Sequence, residues 1–425
     1  MLTDMNVYAI VVLATLALQF VVGLITEILN LKALRDDLPE EFAGVYNADA
    51  YKRSQDYTRA QTRFGFVTSF FSVAVTLVFW FSGGFNLLDG VVRGWNWNPI
   101  LTGLAYIGIL VVARSALSLP FGIYRTFGIE ERFGFNRTTA STYVADIAKA
   151  AVLGALLGAP LLSGILALFQ YAGAAAWLYC WLATTLFTLF VQFIAPTWIM
   201  PLFNKFEPLP ESELRQAILS YARSVDFSLK NLFVMDGSRR SAKANAFFTG
   251  FGRNKRIALF DTLIAKHSVP GLVAMLAHEI GHYKKRHIIQ GLVLSILHTG
   301  VLFYLLSVFI RQRGLFEAFY LEQPSLYAGL VIFGLLYAPL EMVLSVLIQI
   351  LSRRNEYEAD RYAAETTRDP CSMIQALKLL SLHNLSNLTP HPLYVFLNYS
   401  HPPILRRIEA LRQVPSGPVA TVRAS

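Results

Sequence analysis

Three residues in the stretch Ala277-His-Glu-Ile-Gly-His282 have the types and spacing of a metal-dependent hydrolase. On a helix, residues four apart share a face with Cβ atoms about 5–6 Å apart. His278 and His282 can therefore converge on one ion at the ~2.0–2.1 Å that zinc–nitrogen bonds require. Two positions of a tetrahedral site are then filled. Glu279, one residue on, can reach a water held by the metal instead of the metal itself, which is where a general base belongs. A His-Glu-x-x-His pattern arises by chance in about 1 in 100 chains of this length, so its surroundings must support it. Residues 270–277 read as a buried helix with Ser268 as cap and Pro270 in the first turn. The run Tyr283-Lys-Lys-Arg-His287 is basic, as suits a helix end.

A catalytic zinc site takes a third protein ligand and keeps one position open. No further histidine follows at the short spacing of the metzincin pattern, because the chain turns apolar from Ile288. The candidate lies in Ser352-Arg-Arg-Asn-Glu-Tyr-Glu-Ala-Asp360. There Glu356 and Asp360 share a helical face, while Glu358 points about 200° away at 100° per residue. Glu356 would complete a His-His-Glu set for one Zn2+ per chain, and Asp360 would be the acceptor that orients a ligand histidine. The competing reading, a solvated acidic patch at a helix end, leaves the coordination count short. All 8 histidines lie after residue 266, so histidine chemistry belongs to the last two-fifths of the chain.

The elements that position these residues have to be built in a membrane. Of the 425 residues 54% are hydrophobic and only 15% charged, which excludes an ordinary soluble enzyme. Apolar stretches long enough to cross the bilayer are expected at 5–26, 64–88, 99–121, 150–169, 174–200, 288–310 and 326–351. The first lacks a basic leader and a small-residue cleavage site, so it reads as a retained span and not a signal peptide. The net charge of +9 sits between spans, which fits membrane topology and no nucleic-acid partner. Residues 31–63 carry Lys32, Arg35, Lys52, Arg53, Arg59 and Arg63, whereas 90–98 offers only Arg93, so the former faces the cytoplasm. Alternation puts the N-terminus outside and 201–287 and the C-terminus inside. Sequons at Asn136, Asn384, Asn387 and Asn398 then all lie inside and stay unglycosylated. Cys180 and Cys371 form neither a disulfide framework nor a thiolate metal site. Arg114, His298 and Glu341 fall within spans; either Arg114 pairs with Glu341 or these groups line a hydrated cavity.

The fold class is thus mainly α, organised as membrane helices one to five (1–200), a catalytic segment (201–287), helices six and seven (288–351), a second catalytic segment (352–413) and a disordered tail (414–425). Within the first catalytic segment a helix is expected at 211–225 and strands at 231–235, 245–249 and 256–260, forming a small β-meander. An exposed edge strand near the metal would let an extended peptide add as a further strand, with Asn245, Ala246 and Phe247 as contacts.

Several motifs together resemble the type I CaaX prenyl endopeptidases. They are Ile129-Glu-Glu-Arg-Phe-Gly-Phe-Asn136, Pro201-Leu-Phe-Asn-Lys-Phe206, Asp236-Gly-Ser-Arg-Arg-Ser241, Asn245-Ala-Phe-Phe-Thr-Gly250, Leu259-Phe-Asp-Thr-Leu263, the His278 motif, Glu356-Tyr-Glu-Ala-Asp360 and Ser400-His-Pro-Pro403. The resemblance spans nearly the whole chain. It implies seven helices around a hydrated chamber, a gluzincin-like site with His278, His282 and Glu356 as ligands and Glu279 as base, and peptide or protein substrates with or without a prenyl group. His401, held by Pro402 and Pro403 at a helix entrance, is the candidate oxyanion donor, and Arg407 either holds the substrate C-terminus or braces the site through Asp360. Ser241-Ala-Lys-Ala244 departs from the Ser-Ser-His-Ser usual in eukaryotic members, and the final Thr-Val-Arg-Ala-Ser is no retrieval signal. A bacterial inner membrane is therefore as consistent as the ER.

Three other functions compete with this one. A membrane quality-control protease would use the same site without CaaX preference. A scaffold or transporter with structural zinc needs a fourth ligand, and the motif segments supply no further His or Cys. A site-2-type protease is disfavoured because its partner-like Leu88-Asp-Gly90 ends a span remote from the zinc motif.

Overall fold

Most of the long helices begin at a side chain that caps them. Asn6, Asn47, Asn98 and Thr139 each accept a hydrogen bond from a backbone N–H in the first turn that follows, at 3.1, 2.7, 3.0 and 3.2 Å. The computed structural model describes residues 6–229, 231–249 and 256–415. Among them, seven helices are long and apolar enough to cross a membrane: Val7–Lys32, Ala48–Phe81, Pro99–Glu130, Ala140–Tyr171, Gly173–Leu202, His287–Phe309 and Leu326–Thr367. Large apolar side chains such as Val112, Leu156 and Trp198 stand exposed on them, a surface that water would not tolerate and lipid covers.

The seven expected spans are present, with two differences in extent. Span two ends at Phe81, not near residue 88, because Gly83 adopts φ +74° and starts a separate helix, Gly84–Arg93. That left-handed conformation is open to glycine at little cost. Spans two and seven also run well beyond their apolar stretches. Half of the basic loop 31–63 is helical, from Ala48 on, and span seven continues for 42 residues, about 63 Å at 1.5 Å per residue. Glu356 and Asp360 therefore ride on a rigid extension of a membrane helix.

The sheet contains strands β1 (Phe206–Pro208), β2 (Asn231–Met235), β3 (Ala246–Thr249) and β4 (Arg256–Phe260). Its order is β1-β2-β4-β3, with β2 and β4 parallel and the other pairs antiparallel, so the expected meander is replaced by a mixed sheet. The physical reason lies in β4: Ile257, Ala258 and Leu259 are all buried, and this strand takes the interior position that sequence order would have given to β3. Pro208, which cannot donate, sits on the edge strand β1. Under the sheet pack Leu214, Ile218 and Tyr221 of the helix Glu213–Ser224, and Leu272, Leu276 and Ile280 of the helix Val269–Lys284.

The sequon asparagines all donate through their side-chain amides. Asn136, Asn387 and Asn398 reach Glu131, Asn30 and Tyr394. Asn384 clasps both backbone polar groups of Ala244 at 3.0 and 3.1 Å, fixing the chain as it enters β3. Within the spans, Glu341 meets His298 at 3.1 Å and not Arg114, so of the two alternatives the Arg114–Glu341 pair is not formed. Glu341 on span seven faces span six, whereas Arg114 is exposed on span three.

Candidate active site

The helix Val269–Lys284 starts where the sequence requires it to. Ser268 Oγ accepts from Gly271 N–H at 3.4 Å, and Pro270 occupies the first turn, where a missing N–H costs nothing. The helix lies directly against the extension of span seven. A Cβ added to Gly281 would come within 3.2 Å of the Ala359 backbone, so the glycine inside the His-Glu-Ile-Gly-His motif is what lets the two helices touch. That contact carries Glu356, 74 positions beyond His282 in the chain, to both histidines.

His278 Nε2 and His282 Nε2 are 3.1 Å apart, and Glu356 places Oε2 3.4 Å from the first and Oε1 3.4 Å from the second. A tetrahedral zinc with ~2.0–2.1 Å bonds holds its ligand atoms about 3.3–3.4 Å from one another. The trio fits that spacing without rearrangement and is the one group of three metal-ligating side chains found among the described residues. Glu356 Oε2 is also buried and accepts no hydrogen bond, a buried lone pair that a cation would satisfy. Charge agrees. Burial opposes a protonated His278, but Asp360 and Glu356 outweigh it and push the ring up to about 9, while burial of Glu356 is overcome by the two histidines, which hold its carboxyl low. These residues are arranged to hold a positive charge.

Behind each histidine stands an acceptor that fixes its tautomer. Asp360 Oδ1 lies 2.8 Å from His278 Nδ1, a carboxylate that favours a proton on that nitrogen, so Nε2 is the nitrogen left to face the trio and a cation there. Arg407 Nε and Nη2 donate to Asp360 Oδ2 and Oδ1 at 2.7 and 2.6 Å, with Nη1 3.5 Å from Glu356 Oε2. Burial raises the Asp360 carboxyl, but Arg407 more than compensates and keeps it ionised. Removing one partner of such a buried pair costs about 3–5 kcal/mol, because the other charge is left uncompensated. His282 is served by a longer chain: Glu358 Oε2 lies 3.3 Å from His287 Nε2, and His287 Nδ1 lies 3.0 Å from His282 Nδ1. With the carboxylate accepting from His287 Nε2–H, His287 Nδ1 is left to accept from His282 Nδ1–H, and His282 Nε2 again presents a lone pair.

Sequence reasoning missed His287 and Glu358. Glu358 does point away from Glu356, as its spacing predicts, but it points at His287. The signal was a histidine five residues past His282; its meaning depends on Arg286, whose φ of +62° breaks the helix and turns His287 back onto the motif.

Glu279 is half-buried beside the trio, and burial raises its carboxyl pKa. His401 is exposed at the rim, with Nε2 3.2 Å from Glu356 Oε1 and Nδ1 2.9 Å from Ser400 Oγ. Arg407 is buried behind the donors, on Asp360. Ala246 and Phe247 lie in β3, at the edge of the sheet; Asn245 just precedes it, and its carbonyl accepts from Phe260 N–H at 3.2 Å. Lys243, in the departure Ser241-Ala-Lys-Ala244, donates to Tyr57 Oη at 2.7 Å and lies 3.0 Å from Glu130, tying this segment to spans two and three.

Comparison with known proteins follows the same division of the chain. Residues 27–205 match the model described as CAAX prenyl protease N-terminal, five membrane helices, and residues 208–414 match Peptidase family M48. The chain is 34% identical to the CAAX prenyl protease 1 homolog of Oryza sativa subsp. japonica, covering 96% of this chain and 98% of that protein. It is 33% identical to the CAAX prenyl protease 1 of Saccharomyces cerevisiae, covering 89% of each. The crystal structure of S. mikatae Ste24p superposes with a TM-score of 0.90 at 30% identity, covering 96% of this chain and 99% of that one. The chain belongs to peptidase family M48, as a multi-pass membrane metalloendopeptidase resembling the CAAX prenyl proteases.

Proposed function

We propose that this protein is a zinc endopeptidase that cleaves C-terminal CaaX segments of prenylated proteins at the cytoplasmic face of its membrane. The observation that carries the reading is the donor trio His278, His282 and Glu356 at 3.1–3.4 Å, with Glu279 beside it, in a chain aligned end to end with CAAX prenyl proteases. Bound zinc supplies Lewis-acid polarisation of a peptide carbonyl and acidifies a water. Glu279 takes the proton of the attacking water, and burial, which raises its pKa, matches it to that task. Asp360 and the Glu358–His287 pair hold the two ligand rings in register, and Arg407 braces Asp360. His401 stands at the rim, where it donates to the developing oxyanion. Strand β3 pairs on one side with β4, so an extended substrate adds along its other side through backbone bonds, which bring affinity with little sequence selection.

The test is cleavage of a farnesylated CaaX peptide against its unprenylated twin, with and without chelator. Preference for the farnesylated peptide, lost on chelation, supports the reading; equal cleavage of both points to a protease without CaaX preference. Orientation has its own test, since Cys371 is exposed and Cys180 buried. A membrane-impermeant maleimide should modify Cys371 only from the cytoplasmic side, and labelling of intact cells would reverse the topology.

A further inference from the structure

We infer that a cavity between spans six and seven, opening beside Glu279 and His282, receives the isoprenyl chain of the substrate. This rests on the prenylated-CaaX reading and says where that substrate's lipid goes. The cavity is about 350 Å³ and changes character along its length. Its mouth is made by Glu279, His282 and His287, with Asn355 Nδ2 donating to Gln290 Oε1 across the two helices at 2.9 Å. Beyond the mouth its walls are Gly291 and Leu294 of span six and Ile348 and Leu351 of span seven.

Length distinguishes the occupant. Leu294 lies seven residues beyond His287 and Ile348 eight residues before Glu356, which at 1.5 Å per residue puts the apolar walls about 10–12 Å into the spans. A leucine or isoleucine side chain next to the scissile bond would fill only the first turn of that depth. An isoprenyl thioether on the cysteine preceding the bond would run along all of it, leaving the peptide carbonyl at the donor trio. A hydrocarbon leaving water for such a slot gains the ordinary hydrophobic free energy of each methylene removed from solvent. Gly291 is the open point of the wall, since a Cβ there would meet nothing within 4 Å.

That opening makes the inference testable without disturbing the backbone. Gly291→Phe should fill the cavity. For purified full-length protein in detergent or nanodiscs, zinc content and kcat/KM are measured on a farnesylated CaaX peptide and its unprenylated twin. The expected result is that the variant keeps its zinc while the wild-type preference for the farnesylated peptide falls at least tenfold, chiefly through KM. An unchanged preference with zinc retained overturns the cavity assignment and leaves the substrate reading standing. No preference in the wild type overturns both. Should the variant fail to fold, wild-type protein is photolysed with a CaaX peptide bearing a diazirine at the end of its isoprenyl chain. Crosslinks within 288–294 and 348–355 support the assignment, and crosslinks confined to other spans overturn it.

Discussion

Two places in this molecule bring a histidine and a glutamate together, and they differ in everything except that contact. In the spans, His298 Nε2 lies 3.1 Å from Glu341 Oε2, closer than the 3.4 Å that separates Glu356 from each of His278 and His282 in the catalytic segments. The intramembrane pair stops there: the Glu341 side chain is 50% exposed, and the His298 ring stacks on Tyr337 with no third donor. Around Glu356, whose side chain is 6% exposed, a second histidine completes the trio and Asp360, Arg407, His287 and Glu358 fix each ring nitrogen. Proximity of the two residue types therefore does not make a metal site. A metal site also needs a sufficient donor count, together with acceptors behind the rings that leave lone pairs facing inward.

The contrast can be broken most sharply at Glu356. Glu356→Ala should lose tightly bound zinc and with it activity, whereas Glu341→Gln should keep zinc; metal analysis of both purified variants decides, and zinc retained by Glu356→Ala would remove the third ligand. Next in size is Glu279→Gln, which should cut kcat by about 10²–10⁴-fold with zinc content unchanged, separating a proton acceptor from a ligand. His401→Ala should lower kcat on the order of 10²–10³-fold with KM and zinc little altered. If zinc falls in parallel, the histidine supports Glu356 and does not donate to substrate. The smallest expected effect is on the rings' supports: His287→Ala should weaken zinc affinity about 10–100-fold, read by competition with a chelator. Affinity equal to wild type would mean that the Glu358–His287 chain does not orient His282.

What could be read without a fold was what depends on neighbours in the chain. The pairing of His278 with His282, the shared face of Glu356 and Asp360 and the aversion of Glu358 all follow from helical periodicity, and the seven spans follow from runs of apolar residues. Strands β2 and β4 begin and end where alternation and turn residues predict. Strand β1 escaped because three residues carry too little pattern, and the sheet order escaped because it turns on which strand is most worth burying. Contacts across the chain were likewise decided by packing. Arg407 meets Asp360 across 47 positions and His287 meets Glu358 across 71, while Glu341 chooses His298 over Arg114. Local torsion preferences set a helix face from a handful of residues. Which faces then meet depends on small residues such as Gly281, on a break such as Arg286, and on the summed burial of whole elements, none of which is carried by any one stretch of sequence.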